Sequence, residues 1–381
     1  MKYCGHCGKM VDEGLSFCPY CGQPLTDQGS QQPQQEGGQQ AQSASVGKQF
    51  VNKLNEYVGN DKPVNLNWKM LFTNVGNKHT TEEAEEIFIC GTKRTTPELE
   101  NISHEWPHPW LYSRVFIMFS LAFFLLWICC KSFENPNALP GLIVMGSFTV
   151  PLSTMILFLE VNAFRDISLY KVIQVFFVGG CASLVATLII FSIIDPRYDD
   201  NYAAAISVGV VEEIGKGIIV FFFLSRFKRK TILGGMLIGA SVGAGFAAFE
   251  SAGYAMNYLF AAGWDKMMDV IFLRGFLAPG GHVTWAAITG AALVIASKAK
   301  GGVFDTTLFT DGKFWRLFIL PIAMHAIWDS PLTAEVAPEI YLVPVLLTIL
   351  VWIIILILIN MGLGEIGKIV DSESPSKSPS K

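Results

Sequence analysis

Charge is scarce in this chain. Asp, Glu, Lys and Arg make up 16% of its 381 residues, and histidine occurs six times. What charge there is crowds into the first quarter and a few short segments. Such a sequence does not dress a large soluble surface, and hydrophobic residues, at 51%, dominate instead. No H-E-x-x-H occurs, so a zincin arrangement has no support. The opening MKYCGHCGKM has no apolar core ahead of a cleavage site, so the N-terminus is expected to stay where it is made. The net charge of −4 is uninformative about nucleic acid.

The long apolar runs come next. A spanning helix needs about 20 mostly apolar residues, because lipid offers no partner to an unpaired amide. Eight runs qualify: 111–130, 138–160, 172–194, 203–224, 232–257, 270–297, 314–331 and 339–362. The expected fold is an all-α polytopic membrane protein of about eight transmembrane helices with a small N-terminal Cys4 zinc ribbon. Lys and Arg in short loops favour the cytoplasmic side. With the N-terminus inside, the inner loops hold Arg165, Lys171, Arg226, Lys228, Arg229, Lys230, Lys298, Lys300, Lys313 and Arg316. The outer loops hold Lys131, Arg197 and Lys266. Both termini are therefore expected in the cytoplasm, and the lysine-bearing tail SESPSKSPSK agrees.

The eight cysteines form two populations. Cys4, Cys7, Cys18 and Cys21 read C-x2-C-x10-C-x2-C, each pair followed by glycine, while Cys90, Cys129, Cys130 and Cys181 are scattered. In a reducing compartment two such knuckles close a tetrahedral zinc site, and four thiolates leave no open position, so this zinc is structural. No βαβ pattern surrounds them to support a redox pair. The ribbon segment GKMVDEGLSF is only weakly basic, which favours a cytoplasmic protein partner over nucleic acid.

Five segments follow: a ribbon at 1–25, a flexible Gln/Gly/Ser-rich tether at 26–47, a cytoplasmic juxtamembrane segment at 48–110, the bundle at 111–362 and a polar tail at 363–381. In the juxtamembrane segment, Phe50, Leu54 and Val58 recur at helical spacing beside Lys48 and Lys53, which suits a helix lying on the membrane face or packed on its own domain. HTTEEAEEIFICGT has Thr80 and Glu83 in capping-box register, an Ala84, Ile87 and Phe88 stripe and a terminating Gly91. In TTPELENI, Thr96 and Pro97 mark a second helix start. Trp106, Trp110 and Tyr112 suit an interface, and His104 and His108 a surface.

Ionisable residues inside the bilayer cost several kcal/mol unless paired or wetted, so each needs a reason. Four of the runs contain them. The fourth has Glu212, Glu213 and Lys216; Glu212 and Lys216, four apart, can pair, while Glu213 points about 100° away. The fifth has Glu250, preceded by a Gly239 and Gly243 G-x-x-x-G pair that lets a helix approach closely. The sixth has Arg274 and His282, with Pro279, Gly280 and Gly281 breaking the helix before the histidine. The seventh has His325 and Asp329, four apart, so that the carboxylate can orient the imidazole.

Taken singly these are an ion pair, an interfacial anchor and hydrogen-bonded filler. Their shared depth points further, to a cavity open to the outer side in which carboxylates and imidazoles activate water directly or hold a metal that does. An ion-coupled transporter uses buried carboxylates and broken helices too, although no internal symmetry supports one, and a non-catalytic membrane scaffold is a further alternative.

The motif order EEIGK, FAAFE, Arg274 with GHVTWAAITG, and HAIWD resembles the PrsW family of intramembrane proteases, related to the CAAX-processing and bacteriocin-immunity-type membrane proteases. The resemblance covers about residues 140–335. It implies catalytic roles for Glu212, Glu213, Glu250, His282, His325 and Asp329, with Lys216 and Arg274 in support. The CAAX-type relatives usually carry histidine where this chain has Glu250, which favours the PrsW branch. The implied activity is hydrolysis of a peptide bond in a single-span, anti-sigma-factor-like membrane protein near the outer face of a bacterial cell membrane. The water is activated either by glutamate with histidine stabilising the oxyanion, or by a divalent metal on Glu213, Glu250, His282 and His325.

Overall fold

The computed structural model describes residues 2–3, 10–11, 38–64, 66–194 and 201–373. The four ribbon cysteines lie outside the described residues. Two units divide the chain, Met1–Gln49 and Phe50–Lys381. In the first, β1 (Lys2–Tyr3) pairs antiparallel with β2 (Met10–Val11), Lys2 opposite Val11 and Tyr3 opposite Met10. Helix α1 (Gly38–Val58) begins inside the expected tether, whose Gln and Ala residues there have adequate helix propensity. Its last turns belong to the second unit, where Val58 is buried and Leu54 packs against the core, so the helix is docked on its own domain there.

Helix α2 (Thr81–Ile89) has the expected capping box, with the Thr80 hydroxyl accepting from Glu83 N and the Glu83 carboxylate accepting from Thr80 N. The second start signal yields less: a single 3-10 turn, Leu99–Asn101, replaces a helix from Pro97. The bundle follows as α3 (Leu111–Lys131), α4 (Leu139–Val161), α5 (Leu169–Gln174), a π turn at Val175–Gly179, α6 (Gly180–Ile193), α7 (Tyr202–Ser225), α8 (Ile232–Ala262), α9 (Trp264–Leu277), α10 (His282–Ala299), α11 (Gly312–Trp328), the single turn α12 (Leu332–Glu335) and α13 (Leu342–Glu373).

Among the described residues six helical stretches are long and apolar enough to cross a membrane: 111–131, 136–161, 169–193, 232–262, 264–299 and 342–372. The chain is a multi-pass membrane protein. Helices α7 and α11 fall outside this set; α7 carries three charges near its middle, and α11 has only 17 residues. Two boundaries differ from expectation. The outer loop expected around Lys266 is helical, because α8 continues to Ala262 and Gly263 alone, at φ 87°, turns the chain into α9. At the other end α13 runs to Glu373, past the expected end of the bundle at residue 362.

The core is centred on α8, which packs on α10, α4, α9 and α6, while α7 packs on α11 and α6. A Cβ at Gly239 or Gly243 would run into the carbonyls of Ala286 and His282, so the G-x-x-x-G pair brings α8 and α10 into backbone contact. Pro279 and its glycines do interrupt the sixth run: α9 ends at Leu277, a 3-10 turn spans Ala278–Gly280, and His282 opens α10. A charge that the apolar-run reading passed over, Glu160 at the end of α4, accepts from the amides of Trp110, Leu111 and Tyr112 at 2.8–2.9 Å and so caps α3.

Candidate active site

Each charged motif sits on a different helix, and the packing brings them to one place. On α7, residues 212 and 213 diverge by about 100°. Glu212 faces a cavity of about 500 Å³, while Glu213 is fully buried behind it. Lys216, one turn on, is also fully buried. Its ammonium lies 2.6 Å from Glu213 and 3.6 Å from Glu212, so the closer ion pair is i,i+3 and not the expected i,i+4 one. The same ammonium reaches His282 Nδ1 at 2.8 Å and lies 4.4 Å from the Phe246 ring centroid.

His282 is joined through Nε2 to Glu250 on α8 at 3.1 Å, and Glu250 is ion-paired with Arg274 on α9. Arg274 also donates through Nε to Ser251 at 2.8 Å and lies over the Tyr254 ring, which fixes the carboxylate it holds. From α11, His325 presents Nδ1 to Glu213 at 2.8 Å and Nε2 to Asp329 at 3.1 Å. The same Nε2 is 3.6 Å from Glu212 Oε2. Trp285 on α10 supports both imidazoles, with ring centroids 4.6 Å from His325 and 5.1 Å from His282.

Glu212, His282 and His325 each offer a ligand atom, all within 4.8 Å of one another. This differs from the expected set, in which Glu213 and Glu250 supplied the carboxylates. Those two are engaged by Lys216 and Arg274, and each also holds an imidazole. The donors fit a divalent cation on three counts. Oε2 of Glu212 is buried with no hydrogen-bond partner. Two imidazoles and one carboxylate from three helices suit a borderline ion with an open position. Four carboxylates, Glu212, Glu213, Glu250 and Asp329, face two fixed cations, Lys216 and Arg274, which leaves negative charge for a cation to balance. Ligation by His282 displaces either the Lys216 or the Glu250 contact, whereas ligation by His325 Nε2 leaves Glu213 behind it as the orienting carboxylate.

Residues 168–359, half of the chain, match the model of the PrsW family intramembrane metalloproteases. The chain belongs to the PrsW family. It is an intramembrane peptidase, and the ion-coupled transporter is set aside. The match runs from the start of α5 into α13 and so contains every charged motif residue of the cavity. Residues 2–26 match a domain of unknown function (DUF7575), whose description carries no metal. No curated protein and no solved structure matches the chain.

Proposed function

We propose that this PrsW-family peptidase cuts a single-span, anti-sigma-factor-like membrane protein near the outer face of a bacterial cell membrane, using Glu212, His282 and His325 around the cavity. The convergence of these three side chains from α7, α10 and α11 on one buried cavity carries the reading. A divalent metal on them supplies Lewis-acid polarisation of a peptide carbonyl and a more acidic water. Glu213 fixes the ring of His325, and the Arg274–Glu250 pair fixes that of His282, so neither imidazole is free to rotate. Asp329, partly exposed at the cavity beside His325, is placed to accept a proton from a water bound there. Lys216 neutralises Glu213 and leaves Glu212 as the carboxylate facing the cavity.

The remaining architecture belongs to the same proposal. Helices α7 and α11 join the six apolar stretches to give eight spans, with both termini cytoplasmic. Support comes from the ten-to-three excess of basic residues in the inner loops. Cys4, Cys7, Cys18 and Cys21 form a structural zinc ribbon that binds a cytoplasmic protein. The β1–β2 pair flanking the first C-x-x-C, and a family match ending at residue 26, support an independent module of that size. Segments 1–25, 48–110 and 111–362 act as ribbon, juxtamembrane segment and protease.

Protein termini compared in membranes from bacterial cells expressing wild type, Glu212→Gln or His325→Ala under envelope stress test the assignment. A new terminus at the outer edge of a single-span protein, absent in both variants at equal abundance, is expected. Full activity in both variants would exclude this site.

A further inference from the structure

Hydrolysis of a peptide bond puts negative charge on the carbonyl oxygen, and a site that speeds it needs hydrogen-bond donors where that charge develops. The cavity is poorly supplied with them. Glu212, Glu250 and Asp329 all line it, and each repels an oxyanion. The cations that offset them are committed elsewhere: Lys216 is fully buried between Glu213 and His282, and Arg274 is held by Glu250 and Ser251.

Tyr254 on α8 offers a donor of another kind. It lines the cavity and is 43% exposed, so the open space reaches it. It follows Glu250 by four residues, which sets it on the same face of α8, about 6 Å nearer the Ala262 end. The guanidinium of Arg274, already paired with Glu250, lies 4.6 Å from the centroid of the Tyr254 ring and fixes it in place. Tyr112 and Tyr202 give their hydroxyl protons to Leu71 O and Glu335, whereas among the described residues no group partners the hydroxyl of Tyr254.

That hydroxyl is within electrostatic range of Glu212 on α7 and Asp329 on α11, as well as of Glu250 and Arg274. It therefore faces the space these helices share, where the bond is to be cut. The indole of Trp328 borders the same cavity. A phenol O–H, being more acidic, bonds a growing anion more strongly than an indole N–H does.

We propose that Tyr254 is a catalytic residue whose phenol O–H donates a hydrogen bond to the carbonyl oxygen of the scissile peptide and stabilises the oxyanion formed there. The inference rests on the hydrolytic site proposed above and deepens it. The water oxygen bonds to the carbonyl carbon, the π pair of the C=O moves onto oxygen, and the water proton passes to Asp329. On collapse that pair re-forms the C=O, the C–N bond breaks with its electrons going to nitrogen, and nitrogen takes the proton from Asp329. The phenol keeps its own proton throughout. Because its hydrogen bond strengthens only as charge builds, losing it slows the chemical step and leaves substrate binding alone.

The test uses full-length protein in lipid nanodiscs and the single-span protein returned by the terminus comparison. Tyr254→Phe keeps the ring and its contact with Arg274 and removes the hydroxyl. The expected result is a fall of at least about tenfold in kcat with KM within about twofold. A phosphinic peptide copying the cut sequence, whose anionic tetrahedral phosphorus imitates the oxyanion, should lose affinity by a similar factor while the uncut substrate binds as before. This affinity ratio reads the same however much of the variant folds. A wild-type kcat for Tyr254→Phe, a change in KM alone, or equal weakening of phosphinic peptide and substrate would overturn the inference. So would a kcat loss in Trp328→Phe that Tyr254→Phe does not share, which gives the role to the indole. Glu212→Gln, run alongside, reads the hydrolytic site by itself: full activity there removes that site, and an inactive Glu212→Gln beside a wild-type Tyr254→Phe removes the phenol alone.

Discussion

Lys216 is the residue on which the buried charges depend. It has no exposure to solvent, and its ammonium touches Glu213 and His282 within 2.8 Å. Removing one member of a buried ion pair strands the other, at a cost of about 3–5 kcal/mol. Lys216→Met is therefore expected to lower thermal stability sharply. Glu213→Gln added to it should restore part of the loss, because the stranded charge is gone. Unfolding measured for both single variants and the double variant checks this; strictly additive losses would show that the two side chains do not act as a unit. The charged residues of the site were all legible in the sequence, since each is an ionisable group in an apolar run. Their division of labour was not, because helical spacing gives the angle between Glu212 and Glu213 but not which of them faces the cavity. Trp285 escaped notice for a different reason: a tryptophan in a membrane helix is unremarkable until the packing sets its ring against two imidazoles.

Among the elements, the contact between α8 and α10 sets the position of His282, whose carbonyl abuts Gly243. Gly239→Ala is expected to push the helices apart and destabilise the bundle. Gly253→Ala, on the same helix with nothing near its missing Cβ, should be neutral or stabilise by up to about 1 kcal/mol through helix propensity. Equal unfolding temperatures for the two variants would contradict the packing argument. The cap of α3 gives a second prediction at this scale. Glu160→Ala leaves the amides of Trp110, Leu111 and Tyr112 without their acceptor, an expected loss of roughly 1–3 kcal/mol in unfolding free energy, whereas Glu160→Gln retains an acceptor oxygen and should lose less. The glycine pair was readable as G-x-x-x-G. Glu160 was not, because a charge at the end of an apolar run reads as an interfacial residue, and only the turn of α3 beside it shows what it does.

For the whole molecule, eight spans require α7 and α11 to cross the membrane with the six apolar stretches. Three charges keep α7 out of that set and a length of 17 residues keeps α11 out, yet two of the charges of α7 satisfy each other and their neighbours: Glu213 with Lys216 and His325, and Lys216 with His282. Insertion scales put the cost at about 2.5–3.5 kcal/mol for each isolated ion at a helix centre, and pairing within α7 together with imidazole partners on α10 and α11 offsets much of that. Six spans and eight spans also place the loops differently. If α7 crosses, the segment Arg226–Lys230 lies on the cytoplasmic side, where its basic residues favour it; if α7 does not cross, those residues stay outside with Asn201. Fusions ending at Lys228 discriminate: a fluorescent protein that folds only in the cytoplasm should be bright there, and alkaline phosphatase, active only outside, should be silent. Fusions ending at Gly263 should show the reverse. An active phosphatase at Lys228 would mean that α7 returns to the outer face, and Glu212 would then sit in a re-entrant hairpin, reached by substrate from the outer side alone.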